Sequence, residues 1–440
     1  MSDPLRDPET SGTVRMSNDP FRKPSRRAIV KGAAWAVPAV IAVNAAPAWA
    51  ASPHDFVPCP SGNIYNTVGR GRLLSGSLLG TNLDTLAAIN GITVSNDGHG
   101  VVTPSVWGTA NPFSPSPVSS DAYAYVNALD VSLLSALGIS ASLVVDVNTP
   151  VGVLNQYGRA VQNGFSAGAS GAVTNNGAIQ TMPGGGWPVL ASLDLKHLIA
   201  QVSTAAANLV GAVTNLKLEI GAAAGRATLD ACSASSGREY LVSYARLVIG
   251  SGLLGQILSL VATVANLPNT TSGPDNLVSF DFQEKTLVVD LGALLAKAYP
   301  GTYSNQLNGL APNTALLINS HVISTLTTAI SDTLTNLLTR LLGPLGALVG
   351  SLLGGVVGLV NQLVDVVGTL LNGLFNPDNP EKGLLNIVVN AQNDGTAKGP
   401  SAFPLVAGGY DVAAVWVTVL NSVANLYLAR ASVGPNTQTA

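Results

Sequence analysis

Charge is scarce in this sequence. Only 10% of its 440 residues are Asp, Glu, Lys or Arg, against about 25% in an ordinary soluble protein. The formal net charge of −3 excludes a broadly basic surface for coating nucleic acid. Two cysteines and four histidines are too few for a zinc cluster or a multi-disulfide framework. His54, His99, His197 and His321 are scattered, with no H-x-x-x-H or H-x-x-E-H spacing, so each is expected to be a surface or hydrogen-bonded polar residue. Asp97, Asp378 and Asp394 sit singly in turn-forming stretches, whereas a calcium loop needs carboxylates at alternate positions. No metal, no cofactor and no catalytic residue is expected.

What the chain has in quantity is apolar and small. Hydrophobic residues make up 47%, enough to bury one large core. The first 50 residues stand apart. Ser25-Arg26-Arg27-Ala28-Ile29-Val30-Lys31 resembles the twin-arginine export motif S-R-R-x-F-L-K. A charge-free stretch follows and holds Ala48-Trp49-Ala50, a small-x-small cleavage site. Residues 1–50 are therefore expected to be a cleaved signal, with Ala48 and Ala50 marking the cut and 51–440 forming the mature domain. The leader holds seven Lys+Arg and four Asp+Glu, so the mature chain has 21 − 7 = 14 basic and 24 − 4 = 20 acidic residues, net −6. That balance gives no electrostatic reason to bind DNA or anionic lipid. Cys59 and Cys232 both fall in the exported part, where an oxidising compartment favours a disulfide between them.

Periodicity places the elements. Between about 60 and 250 the pattern is of strands separated by turns. Leu216-Lys217-Leu218-Glu219-Ile220 alternates cleanly, and runs over 121–126, 139–147 and 242–249 are rich in Tyr, Val and Ile. Asn96-Asp97-Gly98 and Asn175-Asn176-Gly177 supply positive φ for tight turns. Residues 183–188 read as a loop. Helices are expected over 194–209 and 253–267, and a strand over 285–291. Ile323, Leu326, Ile330, Leu334, Leu337 and Leu341 recur at steps of three and four with Ser and Thr between them, an amphipathic helix. The uncharged stretch 341–364 places Gly346, Gly350, Gly354 and Gly358 at four-residue spacing, which lets another backbone approach closely. It is long enough to contact or span a membrane. Pro344 and six glycines weaken that reading, so a helical hairpin packed on the domain is expected. Strands return over 384–391, 409–420 and 425–433. The fold class expected is α+β: a β-rich, sandwich-like single domain with an apolar, Gly-rich helical segment inserted at about 312–375.

Two stretches carry a resemblance. One runs Gly71-Arg72-Leu73-Leu74-Ser75-Gly76-Ser77-Leu78-Leu79 and then Leu83-Asp84-Thr85-Leu86-Ala87-Ala88-Ile89-Asn90-Gly91; the other is the ending from Tyr427 to Asn436. Together they resemble the choice-of-anchor G family of actinobacterial surface proteins. The resemblance implies a shared ectodomain held by differing C-terminal anchors, and brings no catalytic residue. Thr437-Gln438-Thr439-Ala440 is polar and holds no L-P-x-T-G motif, so release or non-covalent retention is expected here.

One match to a catalytic motif occurs. Gly164-Phe165-Ser166-Ala167-Gly168 fits the G-x-S-x-G nucleophile elbow, with Asp194 and His197 or His321 in order for a triad. Its surroundings lack the strand–helix alternation of a hydrolase, and chance matches are common in a chain with 46 Gly. Arg70 and Arg72 straddle Gly71 and are expected on a solvated strand edge. The function expected is that of a non-enzymatic exported surface or envelope protein, structural or adhesive, whose hydroxyl- and amide-rich faces meet envelope glycans or surface proteins. A secreted carrier of lipid or another apolar ligand, with 341–364 as a pocket wall, and a serine hydrolase using Ser166 are the alternatives.

Overall fold

The computed structural model describes residues 62–439 except 79, 84–90, 99–101, 107–120, 128–154, 175, 181–188, 201–203, 234, 265–269, 273–275, 304–306, 317, 343–349, 379–382, 394–406 and 420–422. The chain divides after Pro47, and every described residue belongs to the second unit, Ala48–Ala440. Arg26, Arg27, Ala48, Ala50, His54, Cys59, His99, the 139–147 run and the 183–188 loop lie outside the described residues.

The domain is β-rich, with three antiparallel sheets and a smaller helical part. The largest sheet has nine strands. Its first strands in the chain are β1 (Tyr65–Leu78), β2 (Thr81–Asn82), β3 (Ile92–Asn96) and β4 (Val102–Val106), with β1 in the middle of the sheet next to β3. The five-stranded sheet takes β5 (Asp121–Asn127), β6 (Asn155–Val161), β7 (Phe165–Gly171), β10 (Ala223–Asp230) and β11 (Ser235–Val242). The six-stranded sheet takes β8 (Val189–Asp194), β9 (Asn215–Gly221), β12 (Ala245–Gly250), β13 (Thr270–Ser272), β14 (Val278–Asp281) and β15 (Thr286–Asp290). The last strands return to the nine-stranded sheet: β16 (Thr314–Ala315), β17 (Leu385–Gln392), β18 (Tyr410–Val419), β19 (Ala424–Val433) and β20 (Thr437–Gln438).

The two ends of the domain close on each other. β1 pairs with β19 in the register Gly71↔Ala431, Arg72↔Arg430 and Leu74↔Leu428. β20 continues the pairing at Tyr65↔Gln438. Arg70 and Arg72 therefore sit on a central strand between β19 and β3, not on the solvated edge expected, and both are half-buried.

Six helices are described: α1 (Leu195–Ala200), α2 (Thr204–Gly211), α3 (Gly252–Val264), α4 (Leu291–Ala298), α5 (Ser320–Leu342) and α6 (Gly350–Phe375). Four begin on a side-chain cap, which satisfies a free N–H of the first turn at about 1 kcal/mol each. Asp194 accepts from His197 N at 2.9 Å, Ser251 from Leu254 N at 3.1 Å, Asp290 from Ala293 N at 3.0 Å and Asn319 from Val322 N at 3.1 Å. The single helix expected over 194–209 is instead the end of β8 followed by α1 and α2, because Asp194 serves as a cap. The run over 242–249 is likewise broken: β11 ends at Val242 and β12 starts at Ala245.

The helical segment is inserted between β16 and β17, which pair at Thr314↔Val389. It runs from Ser320 to Phe375, so the expected start at 312 falls in the turn before β16. Among the described residues, α6 is the helix long and apolar enough to cross a membrane, over Gly358–Phe375. Its described face is two-sided, however. Val360, Leu363, Val367, Leu370, Leu371 and Leu374 are buried, while Asn361, Gln362, Asp365, Thr369 and Asn372 are exposed. That is the pattern of a helix laid on a core with a wet outer face. α5 and α6 pack on each other, and a Cβ added at Gly368 would come within 3.8 Å of the Thr327 methyl.

Two kinds of packing meet along β1, β18 and β19. One half of these strands joins the main core: Leu74, Leu78, Val415, Val417, Leu426 and Leu428 cluster with the helices and the six-stranded sheet. The other half contacts β6, β7 and β10 of the five-stranded sheet through Gly, Ala and Ser. A Cβ added at Gly69 would meet Ala167 O at 2.1 Å, at Gly71 Ala169 O at 2.1 Å, at Gly168 Arg70 O at 2.1 Å and at Gly225 Ala429 O at 2.2 Å. The two backbones touch, and only glycine fits between them. Polar staples cross the seam. Ser170 Oγ lies 2.9 Å from Arg72 O and 2.7 Å from Arg430 O, and Gln156 Oε1 accepts from Leu73 N at 2.9 Å. The change of packing coincides with Ala429, whose φ of 52° marks an irregularity that re-aims the side chains on either side.

Candidate functional site

The residues singled out for a hydrolase do not come together in a reactive arrangement. Ser166 lies inside β7 rather than on a strand-to-helix elbow, is fully buried, and its Oγ bonds to Asn436 Oδ1 at 3.0 Å. Asp194 is spent on the N-terminus of α1. His321 stands at the start of α5, exposed. Cys232 lies in the turn after β10, with its Sγ 3.8 Å from Asn163 O.

A cleft of about 350 Å³ runs along α5. His321, Ser324, Thr325, Thr328 and Asp332 line it from successive turns of the helix, since residues three and four apart share a face. Lys297 reaches it from the last turn of α4. Leu277 and Val278, at the start of β14 and almost fully buried, make an apolar part of the lining. The sequence builds this arrangement from the far side of the helix: Val322, Ile323, Leu326, Ile330 and Leu334 are buried and hold the Ser/Thr stripe outward.

His321 fixes one end. Its Nε2 lies 2.9 Å from Ala298 O, which makes Nε2 the donor and leaves Nδ1 an acceptor in the neutral ring. The ring meets Tyr299 edge-on at 5.6 Å, and Asn319 Nδ2 donates to the Tyr299 hydroxyl. Thr325 Oγ1 donates to His321 O at 2.9 Å, so its oxygen keeps accepting capacity. Chemically the cleft offers hydroxyl donors and acceptors, one ammonium and one carboxylate. Among the described residues no group of three or more His, Cys, Asp or Glu is placed to hold a metal ion.

A second concentration of charge lies within the nine-stranded sheet. Arg430 Nη2 and Nε stand 2.6 and 2.8 Å from Asp411 Oδ2, and both side chains are buried. Burial pushes the Asp411 carboxyl up from its ordinary value, with Arg430 opposing. Burial lowers the Arg70 guanidinium, and the neighbouring charges of Arg72 and Arg430 lower it further. The pair is locked into the sheet, with Asp411 N donating to Asn393 Oδ1 at 2.7 Å. It ties β18 to β19 within the sheet.

Neither arrangement was readable as a site in the sequence. No curated protein and no solved structure matches the chain. The family described as a domain of unknown function (DUF8394) matches residues 69–273 and 257–342, more than half of the chain, and the chain belongs to that family.

Proposed function

We propose that this is a non-enzymatic exported protein of the cell surface or envelope, with a structural or adhesive role. The observation that carries the reading is the chemistry of the solvent faces of α5 and α6. Ser324, Thr328, Thr335 and Asn336 on one, and Asn361, Gln362, Thr369 and Asn372 on the other, are exposed. Asp332 and Asp365 apart, these residues are hydroxyls and amides where a soluble helix ordinarily carries Lys and Glu. Such a surface hydrogen-bonds to glycans or to polar protein faces and does not attract polyanions.

Further features belong to the same proposal. The close contact of the nine- and five-stranded sheets makes a sandwich whose glycine seam and serine staples resist deformation, which suits a structural part. Export runs through Arg26 and Arg27 by the twin-arginine route, with cleavage after Ala50. Of the stretches that carry the resemblance to choice-of-anchor G surface proteins, 71–78 lie in β1 and 427–433 in β19, paired partners in the nine-stranded sheet, while 84–90 lie outside the described residues. A Cys59–Cys232 disulfide is supported by chain reach. Tyr65 N donates to Gln162 O at 2.9 Å, one residue from the Asn163 carbonyl beside Cys232 Sγ, and Cys59 is six residues upstream of Tyr65.

The test is localisation and binding. A strain producing the chain should carry it in the surface or medium fraction, beginning at Ala51, and Arg26→Lys with Arg27→Lys should hold the precursor in the cytoplasm. Purified secreted protein should bind whole cells or envelope polysaccharide. Cytoplasmic retention of the unaltered chain, or its failure to bind either target, refutes the proposal.

A further inference from the structure

We propose that the cleft along α5 binds a neutral oligosaccharide. The inference rests on the surface role above and names the site and the ligand class. A sugar presents two chemistries at once: hydroxyls around its rim, each both donor and acceptor, and C–H groups on its ring faces. The cleft presents the same two. Ser324, Thr328 and Asp332 stand on successive turns of α5 with Lys297 across from them, and Leu277 and Val278 supply apolar lining. A carboxylate accepts from two adjacent sugar hydroxyls, and such charge-assisted bonds are the stronger kind. An ammonium donates back, and the serine and threonine hydroxyls work in either sense.

Size and charge narrow the ligand. At about 350 Å³ the cleft lies near the lower end of ligand sites, which run from about 300 to 1,000 Å³. That suits one or two sugar rings and is short of what a lipid chain needs. Lys297 and Asp332 cancel, so nothing in the lining favours a phosphate or a uronate over a neutral ring. A polyanion would require several cations converging on one face.

The experiment is calorimetry or ligand-observed nuclear magnetic resonance on the purified chain. The probes are neutral gluco-, manno-, galacto- and arabino-oligosaccharides of two or three rings, with a uronic disaccharide and a hexose phosphate as charged comparators. At least one neutral sugar should bind saturably. Asp332→Ala should weaken it about tenfold or more, from loss of charge-assisted bonds, and Ser324→Ala with Thr328→Val should weaken it as well. All three positions are on the exposed side of the helix or half-way to it, so thermal unfolding should stay that of the unaltered chain. Asn361→Ala with Thr369→Ala, on the outer face of α6, should leave affinity unchanged. No saturable neutral binding, binding of the charged sugars alone, or an affinity unmoved by Asp332→Ala overturns the inference. If the chain is on the surface and Asp332→Ala binds cells as the unaltered chain does, the cleft assignment fails alone. If the chain is not exported, the surface reading fails whatever the sugar data show.

Discussion

Replacing Gly71 by alanine tests the seam between the two sheets. The new methyl would stand 2.1 Å from Ala169 O and 2.7 Å from Tyr157 O, both backbone atoms that cannot swing aside. Ordinary contact begins at 3.4 Å, so the strands must part by 3.4 − 2.1 = 1.3 Å at that point. A gap of that order forfeits a quarter to a half or more of the dispersion energy of the lining atoms. It also stretches the Ser170 bonds to Arg72 O and Arg430 O, now 2.9 and 2.7 Å, toward the limit of a useful hydrogen bond. Overpacking alone costs about 1–3 kcal/mol, and weakening the one buried hydrogen bond that the Ser170 hydroxyl shares between the two carbonyls adds about 1 kcal/mol. The expected loss is about 2–4 kcal/mol. Gly211→Ala is the matched control, because nothing lies within 4 Å of its Cβ. Alanine at this helical position should be neutral or stabilise by up to about 1 kcal/mol. Equilibrium urea unfolding followed by circular dichroism reads both. A Gly71→Ala variant within about 0.5 kcal/mol of the unaltered protein would refute the backbone contact.

Arg430→Ala should cost about 3–5 kcal/mol because it strands a buried Asp411, whereas Arg430→Met with Asp411→Leu should recover much of that loss; chemical unfolding of the three proteins decides it. Burial is the first cause that pushes the carboxyls of Glu219, Asp290 and Asp411 up. Each then binds its proton more tightly folded than unfolded, so stability should be lost as pH rises through the raised values and gained as pH falls from 7 toward the ordinary carboxylate range. A urea midpoint that drops steadily over that fall contradicts the assignment. Tyr240, pushed up by burial to about 12, should still be protonated in an ultraviolet titration at a pH where exposed tyrosines have ionised. Its hydroxyl donates to Leu307 O at 2.9 Å and accepts from Leu310 N at 2.6 Å, so Tyr240→Phe should cost about 1–3 kcal/mol by leaving that N–H unpaired, and a neutral substitution would show the bonds to be idle.

The parts of the fold that were legible are those built on large residues with a clear period. Leu216, Leu218 and Ile220 gave β9, and the Ile/Leu steps from 323 to 341 gave α5 to within a few residues at each end. The seam was not legible, for a physical reason. β7 is written almost wholly in Gly, Ala and Ser, as Phe165-Ser166-Ala167-Gly168-Ala169-Ser170-Gly171, and the first half of β10 in Ala and Gly around Arg226. Those residues have poor strand propensity and give no alternation of apolar and polar positions, because the partner backbone takes the place of a large side chain. The same stretch invited the nucleophile-elbow match at Ser166, since small residues around a serine serve a tight turn and a tight sheet contact equally. Arg70 and Arg72 were misplaced for a related reason. Flanked by glycines, they look exposed, and only the pairing with β19 and β3 on either side makes the strand central.

The cleft was hidden differently. The Ser and Thr between the apolar steps from Ile323 to Leu341 read as the polar side of an amphipathic helix, and that period is the same whether the face meets bulk water or a ligand. What turns it into a cleft is Lys297 and the Leu277-Val278 pair. These lie 27 and more residues before Ser324 in the chain and arrive there because β14, β15 and α4 follow one another on the six-stranded sheet. One signal was available in the composition. A helix of 23 residues with Asp332 and Arg340 as its two acidic or basic residues, His321 aside, gives up the paired charges that steady a solvent face. It fills that face with hydroxyls that compete for the helix's own carbonyls, as Thr325 and Thr327 do by bonding to His321 O and Ser324 O. Stability alone would select against that choice. A stripe of that kind is what the proposed sugar-binding cleft requires, and its composition stands in the sequence before any cleft is seen.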